Sequence, residues 1–323
     1  MQLSVVVPTL NGRERLARCL DALAKHAPSA EVIIVNGPSV DGTTGMVRDR
    51  DDVDVLVEID ERNINVARNA GIKRSRGDHV AFVDYRHQIE PGWYDAALDA
   101  LDGPASAHQA SGHGPNLPTA VTGPTHRSLR GGVTTEDPER RRIAGRQITY
   151  FSGGNAAFSR EALDAIDGFD EYLQTGGARD AAHRLVGTGY QVTWTPGMCV
   201  RRDGDRGRGQ PSLAADGGEA SRDWYWRYRA LAYRLVKNYG VRPTSVGRVL
   251  RHATADAAGA LRDVAGGSAE LSGWFGNGRD VTIGSLGGGV DGLIARLRDR
   301  TPRRNSRGVS QREDRAVAVY DHR

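Results

Sequence analysis

The first 84 residues alternate short apolar runs with helical periodicity, and few folds accept that order. LSVVV (3–7) is a β-branched run closed by Pro8, and Leu16, Cys19, Leu20 and Leu23 follow at helical spacing behind an Asn11/Glu14 pair spaced as a capping box. EVIIV (31–35) is a second apolar strand; after the turn NGPSVDG, Asp41 is placed to cap a helix over 43–49. VDVLVEI (53–59) predicts a third strand, residues 63–74 a helix and HVAFVD (79–84) a fourth strand. Continuous apolar runs belong to strands buried on both faces, so the order predicts an α/β fold whose parallel sheet is covered on two sides. Ligands of such sheets collect beyond the carboxyl ends of the strands. That rule directs Pro8 and Thr9, Asn36 and Gly37, and Asp84 to Arg86 into one crevice.

The rest of the chain is less regular. Residues 104–118 have loop composition, ITYFSGGNAAFS (148–159) predicts strand, glycine turn, strand, and a short helix follows over 160–166. A helix is expected over 180–187 and a strand over 190–194. The glycine-rich, polar segment 203–218 is expected to be mobile, as a lid or a linker. Beyond it the aromatic set from Trp224 to Tyr233 opens a helical region, and the tail from Thr301 is basic and expected to be disordered. The domain plan is a domain over 1–202, a flexible loop over 203–218, a helical extension over 219–300 and a tail over 301–323.

Composition removes several classes. Lys and Arg total 44 against 40 Asp and Glu, lysine stands only at 25, 73 and 237, and this thinly spread basicity gives no nucleic-acid footprint. Cys19 and Cys199, far apart and flanked by apolar residues, argue against a disulfide framework or a cysteine metal site. MQLSVVVPTL carries no basic leader, and no window has the length of a membrane span, so a cytoplasmic location is expected.

Pro8-Thr9-x-Asn11, VNGPSVDGT (35–43), NVARNAG (65–71), FVD with PGW (82–84, 91–93), GGNAAFSREAL (153–163), GFDE (168–171) and GYQV with Pro196 follow one another in an order that resembles family 2 glycosyltransferases of the GT-A fold. The resemblance spans about the first 200 residues. It implies a nucleotide-diphosphate sugar as donor, inversion at the anomeric carbon, and a glycan or lipid-linked acceptor at the cytoplasmic face, with peripheral membrane contact. It also implies that Pro8, Thr9, Asn11 and Asn36 hold the nucleotide and that Arg68 lies near the donor.

The departures from the family pattern bear on the chemistry. Similar proteins carry aspartate where Asn36 stands, Asp-x-Asp where this chain has Asp84-Tyr85-Arg86, a Glu-Asp pair near Gly177-Ala178, and often histidine near Arg202. A lone carboxylate at Asp84 holds magnesium or manganese poorly, because such ions want several oxygen ligands. Arginine can do the electrostatic part of that work, since its fork grips phosphate oxygens and stays charged. Arg86 and Arg202, with Arg68 as a third, therefore form a candidate metal-independent diphosphate clamp; the competing reading is drift in an arginine-rich chain. Asp180 is the nearest carboxylate to the missing base, and a helix cap or a partner of Arg184 is its structural alternative. His87 and His183 lack metal-site spacing and are read as surface or satisfied histidines. A second functional reading is a non-catalytic nucleotide-sugar or glycan-binding protein on the same fold.

Overall fold

The computed structural model describes residues 2–103, 120–129, 132–134, 137–202, 224–265 and 271–323. In chain order come β1 (Leu3–Thr9), α1 (Arg13–His26), β2 (Glu31–Asn36), α2 (Thr43–Arg48), β3 (Val55–Ile59), α3 (Ile64–Arg74), β4 (His79–Val83), β5 (His87–Ile89) and α4 (Trp93–Asp102). Then follow β6 (Ala120–Thr122), β7 (Thr125–Leu129), β8 (Gly132–Thr134), β9 (Arg140–Ile143), β10 (Arg146–Thr149), β11 (Asn155–Ser159), α5 (Arg160–Ile166), α6 (Gly177–Gly187), β12 (Val192–Trp194) and β13 (Val200–Arg202). The helices α7 (Trp224–Tyr239), α8 (Pro243–Ala265) and α9 (Leu271–Arg298) precede a last strand, β14 (Ala316–Asp321).

An eight-stranded mixed sheet runs in the order β12-β6-β11-β4-β1-β2-β3-β14. β1 pairs in parallel with β2 on one side and with β4 on the other, so the strand order reverses between β1 and β4, the place where such sheets bind ligands. β11 enters antiparallel to both β4 and β6. β5, directly after β4, opens a second sheet ordered β5-β13-β7-β8.

Both faces of the main sheet are covered, which is why its strands are apolar without alternation. Leu3, Val5 and Val7 pack with Leu16, Leu20 and Leu23 of α1, whereas Val6, Ile33 and Val35 pack with Val66, Ala67 and Ala70 of α3. α3 lies unusually close to β1: a Cβ on Gly71 would stand 2.3 Å from Cγ1 of Val6, so any side chain there would push the helix off the strand. The helical extension uses the same device. Cβ atoms on Gly284, Gly288 and Gly292 of α9 would meet the carbonyl oxygens of Tyr225, Arg229 and Tyr233 at 2.4, 2.1 and 2.6 Å, so α9 seats backbone against backbone on α7.

Two local expectations are corrected. Asn11 and Glu14 form no capping box: Gly12 is the cap residue of α1 and gives no side-chain bond. Asn11 Oδ1 instead accepts from the Val40 amide at 2.8 Å, and it is Asp41 that accepts from the amides of both Arg13 and Thr43. The tail from Thr301 is not disordered. β14 pairs antiparallel with β3 at the edge of the main sheet, and the basic residues find carboxylates, Arg312 on Glu171 at 2.7 Å and Arg323 on Glu31 at 2.5 Å. Charges that look unpaired along the sequence are paired in space. The expected loop over 104–118 and mobile segment over 203–218 lie outside the described residues.

Candidate functional site

At the reversal between β1 and β4 a concavity is lined by Pro8, Ile64, Arg68, Asp84, Tyr85 and the Gly153-Gly154 turn. Pro8 ends the inward run of β1, and Asp84 follows the last residue of β4, as the strand-end rule predicts. Gly154 is required here, since a Cβ on it would stand 2.6 Å from that of Asp84. Of the residues read from the sequence, Pro8, Arg68 and Asp84 meet in this concavity. Asn36 stands one strand away, in register with Thr9; it accepts from Ser39 Oγ at 2.7 Å and donates to Thr44 Oγ1 at 3.0 Å, fixing the turn after β2. Asn11 ties its own loop to that turn through its amide on Ser39 Oγ, 2.8 Å. Thr9 is fully buried and its side chain points away from solvent.

Arg68 is held by the motif that carries it. Its Nη1 donates to Asn65 Oδ1 at 3.2 Å, its Nη2 to the Gly153 carbonyl at 2.9 Å, and its guanidinium lies 4.9 Å from the centre of the Phe169 ring. Asn65 and Asn69 bond in turn to the backbone of Leu173 and Phe169. NVARNAG is therefore the strut between α3 and the loops at 153 and 169–173, and Arg68 is 1% exposed at its centre.

Asp84 and Arg86 are locked together. Arg86 Nε donates to Oδ1 at 2.8 Å, its Nη2 to Oδ2 at 2.6 Å and its amide to Oδ1 at 2.9 Å. Burial would raise the Asp84 carboxyl, but the Arg86 hydrogen bonds, with the charges of His87 and Arg86, hold it well below the usual carboxylate range. A magnesium or manganese ion does not fit this arrangement. The one carboxylate at the strand end has both oxygens on a guanidinium, and the second position that would supply oxygen supplies a cation instead. His87 donates through Nδ1 to the Gly154 carbonyl at 2.9 Å; burial, then the neighbouring charges of Arg86 and Arg202, push it down while Asp84 and this hydrogen bond oppose them. Arg202 pairs in register with His87 across β13 and β5. Arg86 thus pairs with Asp84, Arg68 lines the same concavity, and Arg202 lies one strand further out, beside His87.

Asp180 is not part of the concavity, and its assignment as a catalytic base is corrected. It is completely buried on α6, accepting from Arg184 Nε at 2.7 Å, Lys237 Nζ at 2.7 Å and Asn238 Nδ2 at 2.9 Å. Burial would raise its carboxyl, but Lys237 and then Arg184 keep it far below the usual range. A base needs an open lone pair facing substrate, and this carboxylate has spent its oxygens on α7. Nor does Gly177 leave room for an acid: a Cβ there would stand 2.3 Å from Asn65 Oδ1. Tyr85, directed to the crevice between Asp84 and Arg86, does line it; Ile64 was missed, and the paired glycines Gly153-Gly154 were read only as a turn with no stated purpose.

His183 is a satisfied core histidine, between Tyr150 OH at 3.2 Å and Tyr239 OH at 2.6 Å. Burial, then nearby arginines, hold it well below its usual value, so it is neutral in the fold. Its contribution to stability is therefore complete above about pH 6.5, the unfolded value, and shrinks as pH falls below it. Unfolding free energies from urea titrations should decline from pH 7 to pH 5.5, by up to about 1.4 kcal/mol per pH unit for one histidine. A flat profile over that window would contradict the buried neutral state.

The profile of glycosyl transferase family 2 matches residues 4–167, half of the chain, and the protein belongs to that family. Among curated relatives, glycosyltransferase AglE of Haloferax volcanii is 25% identical over 202 residues, 59% of this chain and 63% of its own. The pre-mycofactocin glycosyltransferase of Mycobacterium tuberculosis is 24% identical over 210 residues, 62% of this chain and 42% of its own. The chain thus spans less than two thirds of either relative. In fold it is similar to Staphylococcus aureus TarS 1–349, solved in complex with UDP-GlcNAc, with TM-score 0.52, 17% identity, and coverage of 74% of this chain and 68% of that one. The mannosyltransferase PcManGT of Pyrobaculum calidifontis, solved with GDP-Man and Mn2+, gives TM-score 0.50 and 18% identity over 93% of this chain and 88% of its own. These likenesses define a GT-A fold. Among the described residues, no helix is long and apolar enough to cross a membrane.

Proposed function

We propose that the protein transfers a sugar, with inversion, from a nucleotide-diphosphate donor to a glycan or lipid-linked acceptor at the cytoplasmic face, and that it binds the donor without a divalent metal. The observation that carries this reading is the Asp84–Arg86 pair at the reversal of strand order, with Arg68 in the same concavity and Arg202 beside the neighbouring His87. An arginine-rich strand end suits an anionic diphosphate, and its strength there is electrostatic. Asn11, Thr9 and Asn36 shape the adjoining strand ends, where the base and ribose would lie. An acceptor carried on a lipid would meet the exposed apolar row Ile283, Leu286, Val290 and Leu297 of α9; flotation with liposomes, weakened by Leu286→Asp, tests that contact.

Titration calorimetry with UDP-GlcNAc and GDP-mannose, the donors held by the two structural neighbours, tests the reading. Binding should be saturable and unchanged by EDTA. Arg86→Ala should weaken it about tenfold or more, the loss of a charge-assisted bond of roughly 1.5–3 kcal/mol, whereas Arg86→Asp, which sets a second carboxylate beside Asp84, should make binding respond to Mn2+. Loss of wild-type binding on adding EDTA would return Asp84 to a metal role. A second reading, donor binding without transfer, is favoured by Gly177: Asn65 fills the space a base would need. Donor binding with no transfer to any acceptor and no hydrolysis would support it.

A further inference from the structure

We infer that Glu90, His126 and Cys199 form a binding site for a thiophilic divalent cation, zinc in the first place, on the second sheet. Strand pairing brings the three together from widely separated parts of the chain. Glu90 follows β5, Cys199 precedes β13 and His126 lies on β7; β13 pairs with β5 through Val200 and Ile89 and with β7 through Arg201 and His126. The Glu90 amide donates to the Cys199 carbonyl at 3.0 Å, which fixes the two side chains as neighbours. One ligand atom from each residue lies within 4.8 Å of the others.

The imidazole stands between its partners, with Nδ1 3.2 Å from Glu90 Oε2 and Nε2 3.8 Å from Cys199 Sγ. Zinc binds nitrogen and oxygen at about 2.0–2.2 Å and sulfur at about 2.3 Å, which sets tetrahedral ligand atoms roughly 3.3–3.8 Å apart. An ion takes only one of the two ring nitrogens, and with one ligand atom from each residue the three lie within 4.8 Å of one another, about an ångström wider than that triangle, so small side-chain rotations would close it. All three residues are half-buried, so water can supply the fourth position. Sulfur, nitrogen and oxygen together select zinc over magnesium or manganese, which prefer oxygen alone.

Electrostatics agree with a cation and not with a catalytic thiol. Burial, and then the Glu90 charge, push the Cys199 thiol up, and its Sγ donates to the Pro196 carbonyl at 2.9 Å. A thiol held protonated is a poor nucleophile. A dication would relieve the repulsion between the two acidic groups and displace the thiol proton to solvent. The bound ion would staple β5, β13 and β7 together. Glu90 and Cys199 stand at the opposite ends of β5 and β13 from His87 and Arg202, about 10 Å away at the rise of a strand, so the ion would brace the wall of the crevice without entering it.

The test uses the full chain, stripped with EDTA and titrated with Co2+ and then Zn2+. The expected result is a near-ultraviolet thiolate-to-cobalt band saturating at one equivalent, displaced by Zn2+, and a higher melting temperature with Zn2+. Cys19 is fully buried, so the band reports Cys199. Cys199→Ser should abolish the band, and His126→Gln should weaken zinc at least tenfold. Should the serine variant not fold, His126→Gln carries the same test. No band and no zinc bound at about 100 μM, or unchanged zinc affinity in the variants, would overturn the inference.

Discussion

Lys237→Ala should destabilise the protein by about 3–5 kcal/mol, because it strips a buried charge network of one member. Lys237 is wholly buried, and its Nζ donates to Asp170 Oδ2 at 2.6 Å and to Asp180 Oδ2 at 2.7 Å. Tyr233 OH also donates to Asp170, and Arg184 to Asp180. Two carboxylates thus face two cations across the junction of the domain with α7. Removing the lysine leaves negative charge in a low dielectric, and melting should fall by on the order of 10 °C. Lys237→Met should fall as far, since methionine restores volume and not charge. Asp180→Asn should also melt early, by about 2–3 kcal/mol. An Asp180→Asn protein of full stability and no activity would restore Asp180 as a catalytic base.

The second large effect is expected at Arg68. Arg68→Ala removes the guanidinium over Phe169, leaves the Gly153 carbonyl and Asn65 Oδ1 without it, and opens a cavity beneath the concavity. Stability should drop by about 2–4 kcal/mol. Donor affinity should fall at least tenfold, since charge and the position of the glycine turn are lost together. Arg68→Lys should recover charge but not the two-point grip, and so should restore little affinity. Chemical denaturation and calorimetry on the same preparations separate the two effects. Full donor affinity in a folded Arg68→Ala protein would remove Arg68 from the site.

The sheet was legible because its strands are buried on both faces. LSVVV, EVIIV and HVAFV each lie within a strand at most two residues longer than the run itself, and the strand-end rule then located Pro8 and Asp84. The helix over 160–166 was legible from Ser159 and its apolar spacing, and Ser159 does cap it. Other features were hidden by distance. The Arg86 side chain could be counted but not aimed, and only coordinates show it folded back onto Asp84. Asp180 looked available because its partners Lys237 and Asn238 lie 57 and 58 residues on. Cys199 looked isolated because His126 and Glu90 reach it through strand pairing. The tail misled through charge, although the alternation of AVAVY was visible; β14 half-buries Ala316, Ala318 and Tyr320 and exposes the residues between. α9 gave a weak pattern because its buried face is glycine.

The claim on which the rest depends is that the reversal of strand order between β1 and β4 is the donor site. Amide hydrogen exchange with and without a saturating nucleotide sugar, in EDTA, tests it most directly. The account predicts slowed exchange at 9–12, 36–40, 84–87 and 153–155, with α8 and α9 unchanged. Protection that spares 84–87 and 153–155, or that appears only when Mn2+ is added, would contradict it.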